Sequence, residues 1–166
     1  VSSTIDGAFR PPGEAWHPVS PKLALARRLV LLLVIIPLTI LAAGSAALSM
    51  SAAGAGIVVL VALLIMLWAW FLIGRRVRSY GYAERDEDLL VTSGILVRRL
   101  TIVPYGRMQL VELASGPLDR SLGLTTVKLH TASLTTEATI PGLPPEESSA
   151  LRDRLAARGE ERSAGL

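Results

Sequence analysis

Residues 29–74 read LVLLLVIIPLTILAAGSAALSMSAAGAGIVVLVALLIMLWAWFLIG, 46 consecutive positions without a charged side chain. Within them, residues 29–48 and 57–73 each carry twelve side chains drawn from Leu, Ile, Val and Phe, separated by the small-residue run 44–56. Such side chains contribute roughly −0.3 to −0.6 kcal/mol each to insertion, so either half gains several kcal/mol before its glycines, Ser45 and Pro37 subtract. A spanning helix needs about 20 apolar residues, which predicts two spans joined by a tight turn. One continuous span is excluded: it would reach roughly 69 Å at about 1.5 Å per residue, more than twice the hydrocarbon core. Two buried helices in a large soluble protein are the alternative, but a chain of 166 residues offers too little other material to wrap them.

The flanks set the orientation. Lys22, Arg27 and Arg28 precede the block, Arg75, Arg76 and Arg78 follow it, and the turn between the halves carries no charge. Both termini are therefore expected in the cytoplasm. Trp68 and Trp70, with Phe71, fall in the last turns of the second span and read as an aromatic belt at that interface, where Trp16 is also expected to rest. Pro37 should kink the first span. Ala42, Ala43, Ala46 and Ala47 form small pairs at a spacing of four, which would let the two helices approach closely or serve dimerisation instead. A signal peptide would have a shorter core followed by a cleavage site rather than a second span.

The remaining chain is of ordinary domain size. From residue 79 onward it holds ten basic and twelve acidic side chains, so the net charge of +3 belongs to the arginines beside the spans and gives no reason to expect nucleic acid. There is no cysteine, hence no disulfide, thiolate metal site or thiol nucleophile. Four segments follow: a disordered arm over 1–19, the transmembrane hairpin over 20–76, a cytoplasmic domain over 77–159 and a fraying tail over 160–166. Ser20 before Pro21 is a helix-start signal for the first span. In the domain the period changes to two, predicting strands over 80–84, 89–93 and 95–103, then 126–131 with Thr126, Lys128 and His130 on the wet face, and 137–140 ending at Pro141. Residues 144–158 read as a helix with Glu146 and Glu147 in its first turn, Leu151 and Leu155 as its apolar stripe and Gly159 as its stop.

The segment 102–133, IVPYGRMQLVELASGPLDRSLGLTTVKLHTAS, carries a resemblance. Pro104, Tyr105, Arg107, Gln109 and Val111, then Gly116, Pro117, Leu118, Arg120, Gly123 and Leu124, and finally Val127, Leu129, Thr131 and Ala132 resemble the signature of bacterial pleckstrin-homology-like membrane proteins, the YdbS-like family. A domain placed directly behind a two-span hairpin matches that family too, so the resemblance covers about residues 20–158. It implies an α+β membrane protein: a transmembrane hairpin, then a pleckstrin-homology-like β-barrel of two nearly orthogonal sheets closed by a C-terminal helix, in the bacterial inner membrane. It does not imply an enzyme.

The turn Glu84, Arg85, Asp86, Glu87, Asp88 sets four carboxylates against one guanidinium and would repel an anionic headgroup. It lacks the glycine and terminal Glu of a calcium loop and reads as a solvated turn. Tyr105, Arg107 and Gln109 are expected at a rigid corner, where the planar fork of Arg107 suits a carboxylate or phosphate, or a local partner such as Asp119. Arg120 has the same ambiguity, in a loop shaped by Gly116 and Gly123. His17 and His130 are the only imidazoles, and no nucleophile triad or paired-carboxylate pocket can be assembled around them. No cofactor, metal or nucleic acid is expected. The expected function is a tethered scaffold or regulator that binds a protein partner through Tyr105, Arg107, Gln109, Arg120, Lys128 and His130. One alternative is a lipid-headgroup sensor using Arg75, Arg76 and Arg78 with Arg98 and Arg99. A membrane enzyme using Tyr105, Arg107 and His130 ranks last.

Overall fold

The computed structural model describes residues 9–11, 13–49, 51–131 and 137–164. Ala132, part of the resemblance, residues 1–8 of the expected arm and residues 165–166 of the expected tail lie outside that set. The described chain falls into two compact units, Ala24–Arg75 on one hand and Val1–Leu23 with Arg76–Leu166 on the other.

Two long helices carry the apolar block, α1 (Lys22–Ser49) and α2 (Ala52–Ser79). Each has 28 residues, about 42 Å of helix, and is apolar enough to cross a membrane. Ser20 caps α1, accepting from the Lys22 amide at 3.3 Å, and Ser51 caps α2 through the Gly54 amide at the same distance. The small-residue run is mostly absorbed into the helices, so only residues 50 and 51 separate them, because alanine is the strongest helix former. Helix α1 continues through Pro37, and the Thr39 hydroxyl two positions on donates to Ile35 O at 2.8 Å. Of the four alanines expected to line the helix contact, Ala46 is buried, Ala42 and Ala43 are half-buried and Ala47 is exposed.

The second unit contains two antiparallel sheets. The first runs in the order β1 (His17–Pro18), β2 (Gly81–Glu84), β3 (Asp88–Ser93), β4 (Arg99–Pro104); the second in the order β5 (Met108–Ala114), β6 (Thr125–Thr131), β7 (Glu137–Leu143). They are open sheets and not the closed barrel expected. The ladder breaks where Pro104, which lacks an amide hydrogen, leads into a single 3-10 turn, Tyr105–Arg107. Between β5 and β6 the chain makes one turn of helix, α3 (Pro117–Ser121), and the fold ends with α4 (Pro145–Ala164).

Several boundaries differ from the sequence reading. Helix α2 runs to Ser79, past residue 76 where the hairpin was expected to end and up to the strand expected from residue 80, and Val77 is buried. The third predicted strand starts at Arg99 instead of Ile95, because Gly94 at φ +101° folds the chain back over Val97 O. Strand β7 does not stop at Pro141. It is an edge strand, where a missing amide is tolerated, and the register between Thr125 and Val127 shifts to absorb Pro141 and Gly142 as a bulge. The C-terminal helix passes through Gly159 to Ala164, so the tail expected to fray from residue 160 is helical in its described part. The arm expected to be disordered contributes β1: His17 pairs with Tyr82 and stacks on its ring at 5.2 Å. Trp16 is half-buried, its indole nitrogen donating to Pro11 O at 3.3 Å.

The core of this unit gathers Tyr82, Leu89, Leu90, Val103, Tyr105, Leu124, Val127, Leu129, Ile140 and Leu143 from the sheets, with Leu151 and Leu155 from α4. Burying each leucine of that stripe is worth about 1.5–3 kcal/mol, enough to hold an otherwise polar helix on the sheets. The alternation on β6 is as expected, with Val127 and Leu129 buried while Thr126, Lys128 and His130 are not.

Candidate functional site

The acidic turn is solvated at its tip, where Asp86 and Glu87 are exposed as expected, but Glu84 and the turn's carbonyls are held by the C-terminal helix. Arg154, Arg158 and Arg162 recur every four residues on α4 and form one row along its face, and that row lies along the turn 84–88. Arg154 grips Glu84 bidentately, Nη2 to Oε1 at 2.7 Å and Nε to Oε2 at 3.2 Å. The hydrogen bond to Glu84 raises the pKa of Arg154 further above its already high value. Arg158 Nη1 donates to Arg85 O at 2.7 Å and to the Tyr105 hydroxyl at 2.9 Å. Arg162 Nη2 donates to Asp86 O at 3.4 Å and lies 3.7 Å from Glu87. At the start of the helix the Tyr82 hydroxyl donates to Glu147 Oε1 at 2.6 Å. Arg85 itself pairs with Glu14 of the arm at 2.7 Å. The helix thus acts as a clasp across the first hairpin, holding the Glu84 carboxylate and the carbonyls of Arg85 and Asp86. The four-residue spacing of the arginines opposite a turn of four acids was the signal in the sequence that pointed to it.

This arrangement takes Tyr105 out of the proposed surface. Its side chain is completely buried, its hydroxyl donates to Arg85 O at 2.9 Å, and burial, the larger effect, raises its pKa although Arg158 opposes it. Tyr82 is raised by burial first and then by the Glu147 carboxylate.

The other candidate residues are exposed or half-exposed, but they do not form one cluster. Lys128 and His130 stand on the outer face of the second sheet, in register with Glu112 and Leu110 of β5, and His130 Nε2 lies 3.4 Å from Glu112 Oε2. Gln109 is the extra residue of a β5 bulge between Met108 and Leu110, which re-aims its exposed side chain. Arg107 precedes β5 and Arg120 sits in α3 after it, so they mark opposite ends of the same strand, roughly 20 Å apart along it. Neither makes an ion pair among the described residues, and the suggested Arg107 to Asp119 pair does not form. Of the two loop glycines only Gly123 has a positive φ, +65°; Gly116 at φ −70° is ordinary extended backbone ahead of α3.

In the helical unit the guanidinium of Arg28, near the start of α1, lies 4.4 Å over the ring of Trp70, near the end of α2, and Arg75 lies 5.8 Å over Phe71. The hairpin therefore brings both of its basic ends to one side. Arg27, Trp68 and Trp70 are exposed, and in the other unit so are Lys22, Arg76 and Arg78. Between the helices lies an apolar groove of about 440 Å³ with Thr39 as its polar residue, lined also by Ile36, Ile40, Ala43, Leu63 and Met66. Among the described residues no group of His, Cys, Asp and Glu is arranged to hold a metal ion.

A family model described as a bacterial PH domain matches residues 19–159, spanning both long helices and strands β2 to β7. Among curated proteins, the chain is 38% identical over 80 residues to the UPF0699 transmembrane protein YdbS of Bacillus subtilis (strain 168), an alignment covering 48% of this chain and 49% of that protein. The chain thus spans about half the length of the curated relative it matches. No solved structure gives a significant match.

Proposed function

This chain belongs to the bacterial PH domain family, and from that premise we propose that it is a membrane-anchored, non-catalytic scaffold or regulator whose PH-like domain binds a protein partner at the inner face of the cytoplasmic membrane. The observation that carries this reading is the outer face of the second sheet. There Leu110, 57% exposed, stands beside Glu112, Lys128 and His130, with Gln109 turned out by the bulge. An apolar centre ringed by both signs of charge suits a protein surface, whereas an anionic headgroup would meet the Glu112 carboxylate beside Lys128. Arg107 and Arg120 stand exposed before and after β5, outside this face. The orientation follows from the basic residues gathered at one side of the hairpin.

The test is a photo-reactive amino acid in place of Lys128, in the full chain in intact membranes. The expected product is a discrete protein adduct that survives high salt and is lost in Leu110→Arg. Adducts with lipid alone, disappearing at high salt, would replace this reading with headgroup sensing through Arg75, Arg76 and Arg78, where each basic residue near a charged bilayer is worth about 1 kcal/mol.

A further inference from the structure

Among the described residues of the domain unit, the connection between β3 and β4, residues 94–98, carries the most exposed large apolar side chains. Leu96 is 96% exposed and Val97 70%, with Arg98 and Arg99 exposed immediately after them. A soluble surface scatters single apolar side chains, but a tip of consecutive ones held clear of the sheet is a different feature. Its shape is built into the backbone. Gly94 has φ +101°, and a Cβ there would run into Val97 O, so the loop closes tightly on itself and turns its side chains outward.

Register within the sheet says where this tip lies. Gly81, the first residue of β2, pairs with Thr92, and Thr92 pairs with Leu100. The loop therefore leaves the sheet at the end where the chain arrives from α2, whose last residue is Ser79 and whose last turn carries Arg76 and Arg78. At roughly 3.3 Å per residue, Leu96 reaches up to about 13 Å beyond the row that contains Gly81. The end of this sheet that bears the apolar tip thus carries Arg98 and Arg99 and receives the chain from the helical turn that holds Arg76 and Arg78. Arginine beside exposed aliphatic side chains is the pattern of segments that rest at the boundary between headgroups and acyl chains.

We propose that the 95–97 tip dips into the anionic bilayer that the long helices enter, giving the domain a membrane contact of its own, with Arg98 and Arg99 at the level of the lipid phosphates. This contact goes beyond the protein-binding reading and holds whether or not a partner occupies the second sheet, which is built from other strands.

The chain contains no cysteine, so Leu96→Cys supplies a unique site for a nitroxide label at a position that contributes nothing to the core. The whole 166-residue chain is placed at one copy per nanodisc of phosphatidylethanolamine and phosphatidylglycerol. The ratio of oxygen accessibility to that of a water-soluble nickel chelate is then measured, with Thr139→Cys, exposed on β7, as the water-phase reference. The expected ratio at position 96 exceeds the reference by roughly threefold or more, as lipid burial requires. An equal ratio at the two positions overturns the proposal. Low accessibility to both reagents overturns it in favour of a protein cover. A label that is water-exposed at one copy per disc and becomes dipolar-broadened at two overturns it in favour of contact with a second copy.

Discussion

The guanidinium of Arg158 lies 5.2 Å over the ring of Tyr105 and donates a 2.9 Å hydrogen bond to its hydroxyl, which donates in turn to Arg85 O. The end of the C-terminal helix, the 3-10 turn between the sheets and the acidic hairpin are fastened at this one point. Tyr105→Phe leaves Arg158 and Arg85 O bonded to each other and should cost about 1–1.5 kcal/mol, whereas Arg158→Met leaves the Tyr105 hydroxyl bonded to Arg85 O but removes two hydrogen bonds from a charged donor and should cost about 1.5–3 kcal/mol. The double variant should lose less than the sum, because the two residues share one network. Denaturant unfolding of the full chain in micelles, followed by near-ultraviolet circular dichroism, measures all three.

Alkaline pH should loosen the same clasp. Burial raises Tyr82 and Tyr105 above the ordinary tyrosine value, so the folded state holds both protons after the unfolded chain has begun to release them near pH 10. The stability these groups contribute is fully present below about pH 10 and is lost as pH rises toward their folded values. Unfolding midpoints should therefore be flat between about pH 8 and 9.5 and fall above pH 10, with a shallower fall in Tyr82→Phe.

Two glycines respond to alanine in opposite directions. Gly142, at φ +74°, faces Leu23, whose Cβ would lie 2.8 Å from an added methyl, and its carbonyl accepts from the Ser20 amide at 3.0 Å. Gly142→Ala should cost about 1–3 kcal/mol through strain and that contact. Gly159 is helical, and a methyl there meets Tyr105 O at 3.7 Å, an ordinary contact. Gly159→Ala should add about 0.5–1 kcal/mol by raising helix propensity. Thermal midpoints of the two variants check both signs.

The two long helices, the strand alternation on β6 and the Leu151 and Leu155 stripe were legible because each is a local periodicity written in consecutive residues. What was not legible depended on partners distant in the chain. Gly159 reads as a stop by itself, yet Arg162 beyond it finds Asp86 and Glu87, and that anchorage carries the helix onward. Pro141 reads as a strand end, but an edge position and a bulge accommodate it. Tyr105 sits among signature residues that look like a surface and proves to be core, since nothing local announces that Arg85 O and Arg158 enclose its hydroxyl. Lys128 and His130 were placed on the wet face correctly; their neighbours Glu112 and Leu110 required the register.

Charge on the sheet face should matter for the partner and not for the fold. Lys128→Glu sets a second carboxylate opposite Glu112 in a partly exposed pair, which should change stability by no more than about 0.5 kcal/mol. The same substitution should abolish the adduct formed at a photo-reactive residue placed at Gln109. Unfolding and cross-linking of the one variant separate the two effects.

The placement of the domain inside the cell is tested most directly by trypsin added to intact, right-side-out spheroplasts that produce the chain. Arg107 and Arg120 are exposed and open to cleavage from whichever side they face. The account predicts that the domain stays uncut until the spheroplasts are lysed and is then digested. Loss of the domain while the membrane is unbroken would contradict it.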